Sequence, residues 1–324
     1  MCEIINFNYI PYLKYMKLSI VTALYQSEKT IKEFHTLISS EAKKLVNNNY
    51  EIIYVNDCSP DKSLEKVITI FNQDKQTKII DLSKNFGHHK AIMTGLGHTS
   101  GDLVFLIDAD LEEDPQYLNN FFSEIKKGNC DVIFGQQKIR RGNWYAKIYG
   151  TFFWKFFNKI SGLSLGINQS TIRIMSRRYI DALLLHKENE VFLNGIWAIT
   201  GFVQKPYLIS KETHSQTTYT FSKKIHLVIN AITSFSNLPL IAIFYMGIII
   251  LSFSSVNIMI LLYQYYSSNI SVDGWASTIA SIWFLGGLMI TFMGIIAIYL
   301  SKVFIETKRR PYTIIKKIYS NAKS

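Results

Sequence analysis

Two carboxylates one residue apart, Asp108 and Asp110, end the apolar run Leu106-Ile107 and open an acidic stretch through Glu112, Glu113 and Asp114 to Pro115. Acids crowded at a strand end repel one another unless a cation neutralises them. A hard divalent ion such as Mg2+ or Mn2+ takes carboxylate oxygens and substrate phosphates together. The same residues also suit a solvated turn with Asp as helix caps, so the spacing alone leaves both readings open. A second cluster is Ile53-Tyr54-Val55-Asn56-Asp57-Cys58-Ser59-Pro60-Asp61. A carboxylate there can accept hydrogen bonds from a base or ribose, and ordinary turn chemistry gives the same pattern. A third is Lys84-Asn85-Phe86-Gly87-His88-His89-Lys90. Gly87 permits a tight turn, Lys84 and Lys90 can face phosphate, and the His pair reads as polar surface in the absence of a third ligand.

These clusters follow strands. Short β-rich apolar runs recur at 18–22, 51–56, 78–82, 103–107 and 131–134, and helical spacing fills 29–46 and 63–71. Strands alternating with helices predict βαβ units and a mostly parallel sheet. Ligands bind at the carboxyl ends of strands in such sheets, which is where the polar clusters lie.

The C-terminal third differs. No Asp, Glu, Lys or Arg occurs at 225–272 or again at 274–301, and two spans of membrane length fit, at 238–263 and 277–300. Lys223 and Lys224 precede them, while Lys302, Lys308, Arg309, Arg310, Lys316 and Lys317 follow. The positive-inside rule puts both flanks in the cytosol and the connector outside. The formal net charge of +11 is read as attraction to an anionic membrane, with no nucleic-acid partner. Segment 144–159 is aromatic with interspersed Lys, the composition of a helix lying in a membrane interface or of a packed core helix with its lysines in water. Cys2, Cys58 and Cys130 form no CxxC pair and read as reduced thiols. Glu3 and the lack of a continuous apolar stretch argue against a signal peptide, and Met16 is an alternative start. The layout expected is a tail at 1–16, an α/β domain at 17–222 and a juxtamembrane interfacial helix at 223–237. Two membrane helices within 238–301 and a basic cytosolic tail at 302–324 complete it.

With Asn85-Phe86-Gly87, Ser100-Gly101-Asp102 and Asp108-Ala109-Asp110-Leu111, the chain resembles the family 2 glycosyltransferases of GT-A fold. Within them it is similar to the polyprenyl-phosphate group that includes dolichyl-phosphate mannose synthase and the bactoprenol glucosyltransferases. Further matches are Arg173-Ile174-Met175-Ser176-Arg177-Arg178, Phe192-Leu193 with Gly195, and Tyr219 with Lys223-Lys224 before Ile232-Thr233-Ser234-Phe235. The resemblance implies a Rossmann-like sheet domain followed by two transmembrane helices. It puts Ala23, Tyr25, Asp57, Lys84 and Asp108 in the donor pocket. Asp110 would bind Mg2+ or Mn2+, joined by Glu112 where the family usually has Gln. Arg173, Lys223 and Lys224 would face the acceptor phosphate, and Asp110, Glu112 and Arg173 form the implied catalytic set. The chain departs from the family pattern at Ala23-Leu24-Tyr25-Gln26-Ser27, where Pro-x-Tyr-Asn-Glu is usual, and at Thr171, where an acid is usual. Thr213, His214 and Ser215 stand where an Arg-x-x-Gly pattern is usual, and the QxxRW motif of processive synthases is absent.

The reaction expected is single-sugar transfer with inversion, from a nucleotide-sugar to a polyprenyl phosphate. It would occur at the cytosolic face of a multi-pass protein of the bacterial inner membrane, with a homo-oligomer allowed. An anionic phosphate acceptor needs little help from a general base. A sugar hydroxyl needs one, worth about 10²–10⁴-fold, and Glu112, Glu113 and Glu190 are available for it. Two alternatives are a membrane-attached transferase extending a lipid-linked glycan for surface polysaccharide, and an inactive membrane scaffold of the same fold.

Overall fold

The computed structural model describes residues 16–137, 168–189, 191–211, 233, 236–268 and 274–321. Two compact units divide them: a sheet unit drawn from 16–211 and 311–321, and a helical unit drawn from 233–310.

The sheet unit begins β1 (Leu18–Leu24), α1 (Ile31–Val46), β2 (Tyr50–Asn56), α2 (Ser63–Gln73), β3 (Thr77–Leu82), α3 (His88–Leu96), β4 (Leu103–Leu106) and α4 (Tyr117–Ile125). It continues through β5 (Val132–Gln137), β6 (Gln169–Ser176), α5 (Arg177–Leu183), α6 (Leu193–Ile199) and β7 (Gln204–Ile209). The strand order is β7-β5-β6-β4-β1-β2-β3-β8, where β8 is Ile315–Tyr319. β1 pairs parallel with β2 and β4, β2 with β3, and β5 with β7; β6 and β8 pair antiparallel. The sheet is therefore mixed, in the GT-A arrangement expected. β1 is buried along its whole length, as a central strand covered on both faces must be. The spacing of Ile31, Phe34, Ile38 and Ala42 on α1 puts all four on one buried stripe.

The amino end of the sheet is locked by hydrogen bonds. The backbone N–H of Lys17 donates to Asp102 at 2.8 Å, Ser19 Oγ donates to Glu51 at 2.6 Å, and Gly101 N donates to Ser19 Oγ at 2.8 Å. Arg177 Nε donates to the Gly101 carbonyl at 2.9 Å, and Arg178 forms a two-pronged pair with the buried Asp131. Ser100-Gly101-Asp102 and Arg177-Arg178 thus hold strands together at the end remote from the acid pair. A Cβ on Gly101 would lie 2.6 Å from Ser19 N, so no side chain fits there.

The segment expected as a basic tail does more than follow the helices. Within it β8 adds an antiparallel strand to β3, with Tyr319 opposite Ile79. Ser83 N donates to the Ile314 carbonyl at 2.9 Å, and the Thr94 and Thr313 hydroxyls meet at 2.8 Å. Lys316 and Lys317 lie on this edge strand, where charge blocks further pairing.

The helical unit holds α7 (Leu238–Ser268) and α8 (Trp275–Thr307). At about 1.5 Å per residue each is about 45–50 Å long, longer than a bilayer core. Candidate spans are Leu238–Asn257 and Ser281–Thr307, and none of the residues in their apolar windows is buried. Phe244, Phe253, Met259, Trp283 and Ile290 are all exposed. A soluble core helix would bury such side chains; their apolar character and exposure suit association with a membrane. Tyr299 Oη donates to the Ser236 carbonyl at 2.6 Å, tying the far end of α8 to the start of α7. The aromatic segment 144–159, most of the juxtamembrane stretch 223–237 and the tail 1–15 lie outside the described residues.

Candidate active site

The strand order creates the site. β1 leads away to β2 and β3 on one side, and β4 lies on its other side, so a crevice opens at the carboxyl ends of β4, β1 and β2. Tyr25 and Gln26 leave β1 there, Asp57 leaves β2, and Asp108 leaves β4 two residues after Leu106. Three residues on these loops, Gln26, Cys58 and Leu111, hold φ of 55°, 50° and 59°. Left-handed backbone at non-glycine residues costs about 1 kcal/mol each and gathers where a site dictates the loop path.

Asp57 is 2% exposed, and its two oxygens accept from Phe86 N at 2.7 Å and Gly87 N at 2.9 Å. Gly87 has φ of 96°, which a side chain rarely tolerates. Asp57 therefore fixes the 85–87 turn at the start of α3. The 25–28 loop is tied to the 59–63 turn in the same manner. Gln26 N donates to Ser59 Oγ at 2.8 Å, Ser27 N to Ser63 Oγ at 3.0 Å, and Glu28 N to Asp61 at 3.0 Å. Burial opposes the charge on Asp61, but donors from Ser59, Ser63 and Glu28 outweigh it and hold the carboxyl at about 2.

The acid loop is more buried than its composition suggests. Glu113 is fully buried, with Oε1 accepting from Ser170 Oγ and lying 3.2 Å from Lys211 Nζ, while Oε2 has no partner. Lys211 Nζ also pairs with Glu112 Oε2 at 2.8 Å. Asp110 is exposed, and its Oδ1 accepts from Glu112 N at 3.0 Å. His88 Nε2 approaches Asp108 Oδ1 to 3.3 Å without the angles of a hydrogen bond, so that buried oxygen remains unpartnered.

The electrostatics follow. Burial, reinforced by Asp110 and Glu112, raises the Asp108 carboxyl to about 7, against Lys211 and a donating Thr171 hydroxyl. Burial, with Asp108 and Asp110, raises Glu113 to about 7 as well, against Lys211 and Ser170. Burial opposes the charge on Lys211, yet Glu113, Glu112 and Asp110 hold it above the usual lysine range. Burial lowers the His88 imidazole, although Asp110, Asp57 and Glu113 pull upward.

The expected residues are partly brought together. Ala23, Tyr25, Asp57 and Asp108 lie at the carboxyl ends of β1, β2 and β4, which are neighbours in the sheet. Lys84 Nζ lies over the Phe86 ring at 5.1 Å. Two expected residues have other partners in this structure. Glu112, expected on the metal, is engaged by Lys211 because β7 delivers an ammonium into the acid loop. Arg173, expected at an acceptor phosphate, has no exposed surface. Its position on β6 between β4 and β5 drives it into the core, where it lies over the Trp197 ring. There it donates to the Ser170 and Thr171 carbonyls, with Nη1 unpartnered. Lys223, Lys224 and Glu190 lie outside the described residues. The His pair divides its work: His88 faces the acids, and His89 Nδ1 lies 3.1 Å from the Val191 carbonyl, fixing the chain before α6. Lys211 and Ser170 belong to no motif, and nothing local marks them.

The donors suit a divalent cation. Asp108 offers a buried, unpartnered oxygen and Asp110 an exposed carboxylate, both hard ligands. Among the described residues no three His, Cys, Asp or Glu side chains form a complete cage, so phosphate oxygens or water would complete the shell. Beside the acid loop a cleft of about 690 Å3 opens between Thr30, Glu33 and Leu37 of the α1 end and Asp110, Gln116 and Tyr117.

Comparison with known proteins identifies the family. The model of the family described as Glycosyl transferase family 2 matches residues 19–184. A Mycobacterium tuberculosis (strain CDC 1551 / Oshkosh) protein described as "Putative glycosyltransferases" is 43% identical over 308 residues, 94% of this chain and 89% of its own. The Escherichia coli (strain K12) "Prophage bactoprenol glucosyl transferase homolog" is 28% identical, over 94% of this chain and 99% of its own. Among solved structures, glucosyl-3-phosphoglycerate synthase from Mycobacterium tuberculosis in complex with Mn2+ and uridine-diphosphate-glucose is 16% identical with a TM-score of 0.46, over 67% of this chain and 77% of that one. With its acid loop inside the matched region and a relative at 43% identity along nearly its whole length, the chain belongs to glycosyltransferase family 2 and is a glycosyltransferase.

Proposed function

We propose that this glycosyltransferase moves one sugar from a nucleotide-sugar to a polyprenyl phosphate at the cytosolic face of a bacterial inner membrane. One observation carries the reading: a single chain joins a strand-end acid site to two long apolar helices whose side chains are not buried. The relative named for bactoprenol glucosyl transfer aligns along 94% of this chain, helices included, which supports the acceptor class.

The donor would lie against the carboxyl strand ends that carry Ala23, Tyr25, Asp57 and Asp108, with Lys84 near its phosphates. Asp108 and Asp110 would hold Mg2+ or Mn2+, which when bound offsets the charge growing on the departing diphosphate. The chain's own residues favour an acceptor that arrives already anionic. Thr171 stands where the family has an acid and donates to Asp108, while Glu113 is tied to Ser170 and Lys211. Lys223 and Lys224 would meet the acceptor phosphate as point charges near head-group depth, within about 20 Å of chain from Leu238. The lysines and arginines on both flanks of the spans put the two termini in the cytosol. S268C should then label with an impermeant reagent from outside and S320C should not; the opposite pattern overturns that orientation.

The test of function is mass spectrometry of lipids after membranes holding the protein are given a panel of nucleotide-sugars. A polyprenyl phosphate gaining a single sugar is expected. Growth of a lipid-linked glycan without that product would establish the second reading, and no transfer from any donor would leave the scaffold.

A further inference from the structure

We propose that Lys211 is a tethered counter-cation of the acid loop, competing with a divalent ion for Glu112. Lys211 Nζ lies 2.8 Å from Glu112 Oε2 and 3.2 Å from Glu113 Oε1, with a quarter of its side chain exposed. Glu113 has no exposed surface, its Oε1 also accepts from Ser170, and its Oε2 has no partner. A fully buried carboxylate with an empty oxygen marks a loop built around positive charge, since burial of an unpaired carboxylate is costly.

The fold brings that charge from far away. Lys211 lies 98 residues from Glu113 in sequence and Ser170 lies 57 away. They meet because β7 pairs with β5, β5 with β6, and β6 with β4, whose end carries the acids. An ammonium and a divalent ion at contact distance from one carboxylate repel each other, and in a partly buried site that repulsion is of the same order as the attraction each feels. Lys211 therefore holds the cation-free loop in shape and leaves Glu112 when a divalent ion takes that oxygen. This rests on the proposal that Asp108 and Asp110 bind such an ion.

The experiment titrates Mn2+ into the full-length chain in detergent without donor, reading free Mn2+ by electron paramagnetic resonance. K211Q should bind Mn2+ about tenfold more tightly than the wild type. K211R should match the wild type, and E112Q/K211Q should lose the gain. Equal or weaker binding by K211Q, or a gain that survives loss of Glu112, overturns the proposal. A measurement on the unaltered protein guards against misfolded variants: amine-reactive labelling of Lys211, read by peptide mass spectrometry, should rise when Mn2+ saturates. Unchanged labelling overturns the proposal as well. If no variant binds Mn2+ even with a nucleotide-sugar present, the cation reading of the site falls with it; equal affinities remove only the role given to Lys211.

Discussion

Asp57→Asn separates two accounts of one residue. The family resemblance puts Asp57 against the nucleotide, whereas in the structure both of its oxygens accept backbone N–H groups, from Phe86 at 2.7 Å and Gly87 at 2.9 Å. Asn has one carbonyl oxygen, so one hydrogen bond survives, and the amide NH2 turns a donor toward the other N–H. The residue is 2% exposed, so water cannot repair the loss. A charge-assisted hydrogen bond contributes about 1.5–3 kcal/mol, and a buried donor left unpaired costs a comparable amount. The expected destabilisation is about 3 kcal/mol. For a unit of this size that lowers Tm by about 6–12 °C. Thermal unfolding of the detergent-solubilised protein measures it, with nucleotide affinity followed by calorimetry. The structure predicts a clear fall in Tm and a smaller loss of affinity, as the 85–87 turn loosens. A Tm within about 1 °C of wild type with nucleotide binding abolished would refute the reasoning and return Asp57 to the donor.

Asp110→Asn should abolish transfer while leaving Tm nearly unchanged, because the residue is exposed and Asn still accepts from Glu112 N; full activity in excess chelator would count against the cation. Gly101→Ala should cost about 2–4 kcal/mol, since its Cβ would lie 2.6 Å from Ser19 N and 2.9 Å from the Leu103 carbonyl, both backbone. An unchanged urea midpoint would show that the strand ends yield. Asp61 titrates at about 2 in the fold, below its unfolded value of about 3.9, so its contribution is present above pH 4 and is lost as pH falls through 2. Urea midpoints from pH 5 downward should fall faster for wild type than for D61N, and parallel curves would contradict the assignment.

How much of the site was legible depended on whether its residues were neighbours in sequence. The Asp108-Asp110 pair and Asp57 stood out because each ends an apolar strand with a carboxylate, and the structure puts them at the same end of the sheet on either side of β1. Ser100-Gly101-Asp102 stood out equally, yet lies at the opposite end of β4, where it serves packing. β6 was hidden as a strand because Arg173 interrupts its apolar pattern, and a guanidinium in the core is rare without a carboxylate partner. β8 was hidden by Lys316 and Lys317, which read as flank charge for the helices.

The alternation of strands and helices, the acid pair at a strand end, and two spans of membrane length can all be read along the chain, because each is written in residues a few positions apart. Helix and strand periods, and the apolar content of a span, are local properties. Folding is needed to see that Lys211 pairs with Glu112 and Glu113, that Ser170 holds Glu113, that Arg173 is buried on Trp197, and that the chain returns after α8 to extend β3. Those pairings depend on which strands lie side by side, and strand order across some hundred residues leaves no trace in local periodicity. The charge partners of a buried carboxylate follow from that order, and with them its affinity for protons and cations.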